Sequence, residues 1–269
     1  MLREPCVAGR FYESDPARLN ASVDQYLAQG GGRSESPTLL AMVPHAGYVY
    51  SGGVCGKTLA QANLASTVLL LGPNHTGFGT RFSLWPEGSW AIPGAEIPVD
   101  EELASAILEA DSTIAANTMA HVREHSLEVV LPFLARLDPS TSIVPLSVSS
   151  NLFEELKRVG QAIGKVLKAF SRPVSIVVSS DMSHYISSDD ARQLDSMALD
   201  AAVALDPARL FETVRVNEIT MCGVRPMTVG LFAALELGAT HGELAAYANS
   251  GDVTGDNEQV VGYAGVLVR

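Results

Sequence analysis

Three apolar runs in this chain each lead into a turn that carries a histidine. Leu39–Val43 precedes Pro44-His45-Ala46-Gly47, and Val68–Leu71 precedes Gly72-Pro73-Asn74-His75. Val174–Val178 precedes Ser179-Ser180-Asp181-Met182-Ser183-His184. A short continuous apolar run closed by Gly, Pro or Ser reads as a buried strand ending in a loop. Strands buried on both faces belong to sheets covered by helices, which directs the chain to the α/β class. In open α/β sheets such loops line the crevice where ligands bind. Three strand ends that each deliver an imidazole therefore predict one shared site, rather than three loop histidines bonded to backbone.

The remaining pattern agrees with that class. Strands are predicted over 38–44, 66–71, 142–148, 173–179, 243–249 and 260–268, and helices over 13–28, 100–110 and 153–170, around 194–205, and from Pro226 to Gly238. The clearest helix repeats Phe153, Leu156, Val159, Ile163, Leu167 and Phe170 every three or four residues, with Ser150 or Asn151 as its cap. Alternating strands and helices argue for an α/β sandwich, and 269 residues suit one large domain or two small ones. An apolar content of 47% supports a sizeable core. A net charge of −12 offers no basic footprint for nucleic acid. No apolar stretch reaches the ~18–20 residues needed to span a bilayer, so no membrane association is expected. Cys6, Cys55 and Cys222 are odd in number and form no CxxC pair, and Met1–Pro5 lacks the apolar core of a signal peptide. A reducing, cytoplasmic location is therefore expected.

Several residues could carry chemistry. Two imidazoles and one anion, with open positions left over, suit a mononuclear iron-type centre. His45 and His75 are the candidate imidazoles, and Cys222 the candidate anion. Cys222 stands just ahead of the Pro226 helix, whose N-terminus is expected to favour the thiolate; the alternative is a small buried hydrophobe. Asp181 and His184 share one predicted loop and offer a further ligand or a general base, the alternative being an Asx-type turn with a backbone-bonded histidine. His121-Val122-Arg123-Glu124-His125 matches the H-x-x-E-H zinc-protease pattern, which would place both histidines on one helical face. That pattern lacks a third ligand here, and Glu124–Glu128 is expected instead to rim the pocket through His125 and Glu128. Gly52–Thr58 resembles a phosphate-binding loop with Ser51 where the first glycine should stand. It reads better as the start of the helix after His45, with glycines that let backbone approach the site.

Taken together, Val43–Tyr48, Gly72–His75, Glu124–Glu128, Ser179–His184 and Met221-Cys222-Gly223 resemble the Memo family, whose bacterial and archaeal members are also called AmmeMemoRadiSam system protein B. The resemblance runs from Pro5–Tyr12 to Gly262–Gly265. It implies a single-domain α/β sandwich over residues 1–269, with a central mostly parallel or mixed sheet flanked by helices, similar to the class III extradiol dioxygenases, which hold Fe(II) with two histidines and a glutamate and use another histidine as acid/base. By that resemblance His45 and His75 are metal ligands, His184 is the acid/base group with Asp181 beside it, and Cys222 replaces the glutamate. Fe(II) is the expected ion, with Cu or Zn as alternatives. A thiolate is softer and more oxidisable than a carboxylate, which argues for metal binding and redox chemistry on a small molecule over ring cleavage. Two other readings stay open: a non-catalytic module that binds phosphopeptides in the same pocket, and an extradiol ring-cleaving dioxygenase. The sequence leaves the small-molecule or peptide ligand unnamed and an oligomer open.

Overall fold

The apolar runs form the centre of a mixed sheet in a computed structural model that describes residues 1–269. In chain order come β1 (Leu2–Arg3), α1 (Pro16–Leu27), β2 (Leu40–Val43), α2 (Tyr48–Gln61), β3 (Thr67–Pro73), β4 (Phe82–Leu84), β5 (Ser89–Ile92), β6 (Ala95–Pro98), α3 (Glu101–Ala110) and β7 (Ile114–Ala116). A 3₁₀ turn at Glu128–Val130 leads to α4 (Leu131–Leu137), β8 (Ser142–Val148), α5 (Phe153–Ala169), β9 (Val174–Ser179) and β10 (Asp181–Ile186). The chain closes with α6 (Ser188–Val203), α7 (Pro207–Val216), α8 (Val224–Leu237), β11 (Gly242–Asn249), α9 (Gly251–Thr254) and β12 (Val260–Val268).

The sheet order is β10-β12-β2-β9-β3-β8-β4-β7. Its middle four strands, β2, β9, β3 and β8, run parallel. One edge of β12 pairs with β11, while its other edge is shared between β10 and β2. β1, β5 and β6 make a small separate sheet. α8 lies on β2, β3 and β9 with α5 outside it, and α2 covers the opposite face with α1 outside it. The outer contact on the first face is backbone-close. A Cβ on Gly160 or Gly164 of α5 would stand 2.6 Å from an atom of α8. No helix is long and apolar enough to cross a membrane.

The predicted strands and helices all form, with ends shifted by a few residues. Two local expectations are corrected. The glycine-rich run after His45 is the interior of α2. Its Gly52 and Gly56 face Tyr26 of α1, where a Cβ on Gly56 would lie 2.5 Å from the Tyr26 backbone. Those glycines serve a helix–helix contact, and neither a phosphate cradle nor an approach to the site. The second correction concerns the H-x-x-E-H segment. Residues 117–127 form turns and irregular backbone with no helix, so the pattern never shares a helical face.

Arg3 holds that irregular segment. Its Nε donates to the His121 carbonyl at 2.9 Å and its Nη2 to the Glu124 carbonyl at 2.7 Å. Its Nη1 pairs with Glu128 at 2.7 Å, and the guanidinium lies 4.2 Å from the Trp90 ring centre. Glu128 also accepts the N–H groups of Cys6 and Val7 and the Tyr12 hydroxyl, at 2.8, 3.0 and 2.6 Å. Glu128 is fully buried. It therefore ties down the N-terminal segment and does not rim the pocket. Burial alone would raise its pKa, but the Arg3 charge and the three donors outweigh that and hold the carboxyl low. Glu128→Gln turns an amide donor toward groups that already donate, and leaves Arg3 without its counter-charge. The expected loss is about 3–5 kcal/mol in urea unfolding. A carboxyl held low stabilises the fold above its unfolded pKa of about 4.3, and that contribution is lost as pH falls through the folded value. The wild-type advantage over Glu128→Gln should therefore be full near neutrality and shrink in acid.

Candidate metal centre

The parallel strands deliver their carboxyl ends to one place. His45 follows β2, His75 follows β3, and Asp181 opens β10 directly after β9. The His45 N–H donates to Asp181 Oδ1 at 2.8 Å, joining two of these ends. Asp181 and His184 were expected on a loop. They lie instead on β10, opposite Tyr263 and Val261 of β12 across an irregular register.

Each imidazole is oriented by a neighbour. The Ser179 hydroxyl donates to the Ser126 carbonyl at 2.6 Å, which leaves its lone pair to accept from His45 Nδ1, also at 2.6 Å. That assignment puts the His45 proton on Nδ1 and leaves the Nε2 lone pair toward the pocket. His75 Nδ1 lies 2.9 Å from Glu124 Oε1, and the His75 N–H donates to Glu124 Oε2 at 2.6 Å. The Ser126 N–H adds a third bond to Glu124, at 3.0 Å. A carboxylate behind an imidazole is the usual arrangement that aims the other nitrogen at a cation. His125 completes the group. Its ring stacks on His75 at 5.0 Å and meets His45 edge-on at 5.5 Å. One ring nitrogen from each of His45, His75 and His125 lies within 4.8 Å of the others.

The charges differ among the three rings. Burial drives the His45 pKa well down, and the neighbouring His75 and His125 add to this. Burial also lowers His125, against the opposing charge of Glu124. At His75 burial acts in the same direction, but the bond and charge of Glu124 prevail and raise it. Glu124 itself would be raised by burial, yet His75 and the two backbone donors bring it down to about 2. Asp181 is raised, mainly by burial.

Cys222 touches this group through one member. Its Sγ is 3.3 Å from His45 Nε2 and accepts the Asp181 N–H at 3.1 Å. Burial and the Asp181 charge push its thiol pKa up, so the helix N-terminus does not yield the expected thiolate by itself. A bound cation would remove that proton. The tight histidine cluster thus gathers His45 and His75 with His125, and Cys222 borders it at His45. His184 is tied to Thr220, two residues before Cys222. Its N–H donates to Thr220 Oγ1 at 2.7 Å and its Nδ1 lies 3.1 Å from the Thr220 carbonyl. That carbonyl can only accept, so Nδ1 is the donor in this contact. His121 does not join the cluster. It is fully buried, with Nε2 2.8 Å from the Ser83 carbonyl and its ring against Trp85 and Trp90. The zinc-protease pairing of His121 with His125 is therefore absent. Glu124 and Ser179, which orient the imidazoles, were not among the predicted site residues. Their signal was adjacency: Glu124 precedes His125, and Ser179 ends the apolar run before Asp181.

Fold and cluster together define an α/β protein with a three-histidine cluster at the carboxyl edge of its parallel strands. The chain belongs to the Memo-like protein family, whose model matches residues 3–267. A MEMO1 family protein of Aquifex aeolicus is 41% identical over 268 residues, covering 99% of this chain and 98% of the relative. A MEMO1 family protein of Methanopyrus kandleri is 37% identical over 281 residues, covering 100% and 99%. Among solved structures, an uncharacterized protein of Escherichia coli K12 matches with a TM-score of 0.56 at 12% identity, over 84% of this chain and 98% of that one. The last likeness is one of fold.

Glu124→Gln removes the charge that raises His75. In an NMR titration of the metal-free protein, the His75 pKa should fall, while His121→Phe should leave it where it was.

Proposed function

We propose that this chain is a metal-binding protein that works as a redox enzyme on a small molecule. The observation that carries the reading is the pair His45 and His75. Each has its Nδ1 bonded to a fixed acceptor, and each offers a ring nitrogen to the same cluster, with Cys222 Sγ 3.3 Å from Nε2 of His45. Cys222 and His125 both adjoin this pair and compete for the place of third donor. Imidazole with thiolate or a third imidazole suits Fe(II), Cu or Zn, and Fe(II) is the first choice. Such an ion would supply Lewis acidity and, for iron or copper, one-electron chemistry.

The protein's own groups have defined tasks in this reading. Glu124 and Ser179 keep the imidazoles aimed, so the donors need not reorganise when a cation enters. His184 offers Nε2 as the proton acceptor or donor, with Nδ1 anchored on Thr220. Asp181 holds the His45 main chain and the Cys222 loop at one spacing.

Anaerobic purification followed by metal analysis should find about one Fe, Cu or Zn per chain. His75→Ala and Cys222→Ser should each lower occupancy sharply. Loading with Co(II) separates the third donors: a sulfur-to-metal charge-transfer band that vanishes in Cys222→Ser assigns the thiolate. Unchanged metal content in both variants would overturn the reading. Because a thiolate beside activated oxygen is itself oxidisable, the Fe(II)-loaded wild type should give no yellow ring-opened product from protocatechuate. Robust turnover in that assay would instead establish the ring-cleaving alternative.

A further inference from the structure

Beside the histidine cluster, a cleft of about 560 Å³ opens between the Gly9–Asp15 segment and the start of α2. One ring separates the two spaces. Phe11 lines the cleft and also meets His125, with ring centroids 4.8 Å apart. Tyr26 and Tyr50 give further aromatic wall, and Tyr50 is 40% exposed. The cleft also holds two arginines and two acids, and these are not equivalent. Asp15 caps α1 by accepting the Arg18 main-chain N–H at 2.9 Å, and Glu13 accepts the Ser22 hydroxyl at 3.0 Å. Both carboxylates are thus engaged with their own chain. Arg10 and Arg18 are exposed. Their guanidinium groups take no part in the ion pairs that hold Arg3, Arg81, Arg136, Arg158, Arg172, Arg192, Arg215 and Arg269. The cleft therefore presents two guanidinium groups outside any ion pair beside aromatic rings, with the two carboxylates in the same lining.

We infer that the cleft is an anchoring subsite for a flat small molecule with a carboxylate or phosphate at one end, whose other end reaches past Phe11 to the histidines. Guanidinium forks match both anions in planar, two-point fashion, and aromatic side chains take the apolar body of such a ligand. The anion sits away from Asp181 and Glu124, whose charges would repel it at the cluster. The inference rests on the cluster being the reacting site, and it assigns Arg10 and Arg18 to substrate binding and none of the chemistry.

Titration calorimetry with phenyl phosphate, benzoate and uncharged benzyl alcohol tests it, using the full chain and Arg10→Gln/Arg18→Gln. At least one anion should bind saturably and benzyl alcohol should not; which anion binds more tightly decides between phosphate and carboxylate. The double variant should lose at least about tenfold in affinity while keeping its circular dichroism and its metal content. Chelator-treated wild type should bind the anion as before, because the anchor lies outside the donor set. Anion affinity unchanged in the double variant, or no saturable binding by wild type, would overturn the inference. A wild type that takes up no metal yet binds anions through the arginines would instead count against the metal reading and leave the cleft standing.

Discussion

Residues 117–127 border the pocket without a helix or strand to satisfy their carbonyls, and Arg3 supplies the missing donors from 118 residues away. An unsatisfied buried carbonyl costs about 1–3 kcal/mol, and an unpaired buried charge more. Arg3 bonds two of these carbonyls and is neutralised by Glu128, which in turn takes the amides of Cys6 and Val7. The N-terminal segment and the histidine-bearing turn thus form one buried polar network. Everything placed on that turn inherits its rigidity. Glu124 is the first beneficiary, and through it His75. Phe11 reaches His125 from the N-terminal side of the same network.

Three imidazoles within 5.5 Å of one another cannot all be cationic. The protein resolves this with one buried counter-charge. Glu124 favours the charged form of His75, while burial keeps His45 and His125 neutral. Neutral imidazoles are donors and protonated ones are not, so His45 and His125 stand ready for a divalent cation, which at His75 would take the place of the proton. Two acids, Glu124 and Asp181, stand just behind the rings. The field at the centre therefore favours positive charge, whether it comes as a proton on His75 or as a metal ion.

The strands that carry the site were readable because their burial is complete. Leu40–Val43, Thr67–Pro73 and Val174–Ser179 are buried throughout, so composition alone marks them. β4 to β7 were not readable, being three or four residues long; β4 and β7 are set by pairing with distant strands, and β5 and β6 form a short hairpin. β10 was hidden for a different reason. Asp181-Met182-Ser183-His184 has the composition of a turn, and β12 supplies the ladder that makes it a strand. At the site, His45 and His75 followed from strand ends, whereas the partners that orient them did not. Glu124 was expected only as part of a rim segment, because its bonds to His75 and the Arg3 bond to its carbonyl come from residues far away in sequence. Glu128 was placed on the rim because nothing near it in sequence announces a buried cation at position 3. Long-range polar pairing leaves no local periodicity to detect.

The strand order β2-β9-β3 has a consequence for how the protein is made. β2 and β3 are consecutive strands in the first third of the chain but never pair; β9 lies between them, more than 100 residues later. During synthesis, which proceeds from the N-terminus at about 5–20 residues per second, His45 and His75 emerge early and without a common frame. They acquire one only when residues 174–179 have been inserted, and Cys222 joins later still. A nascent chain therefore has no assembled histidine cluster, and the cluster exists only in the nearly finished fold. Late closure by non-local parallel pairing is intrinsically slow, so the order of strands makes the cluster one of the last features of the fold to form.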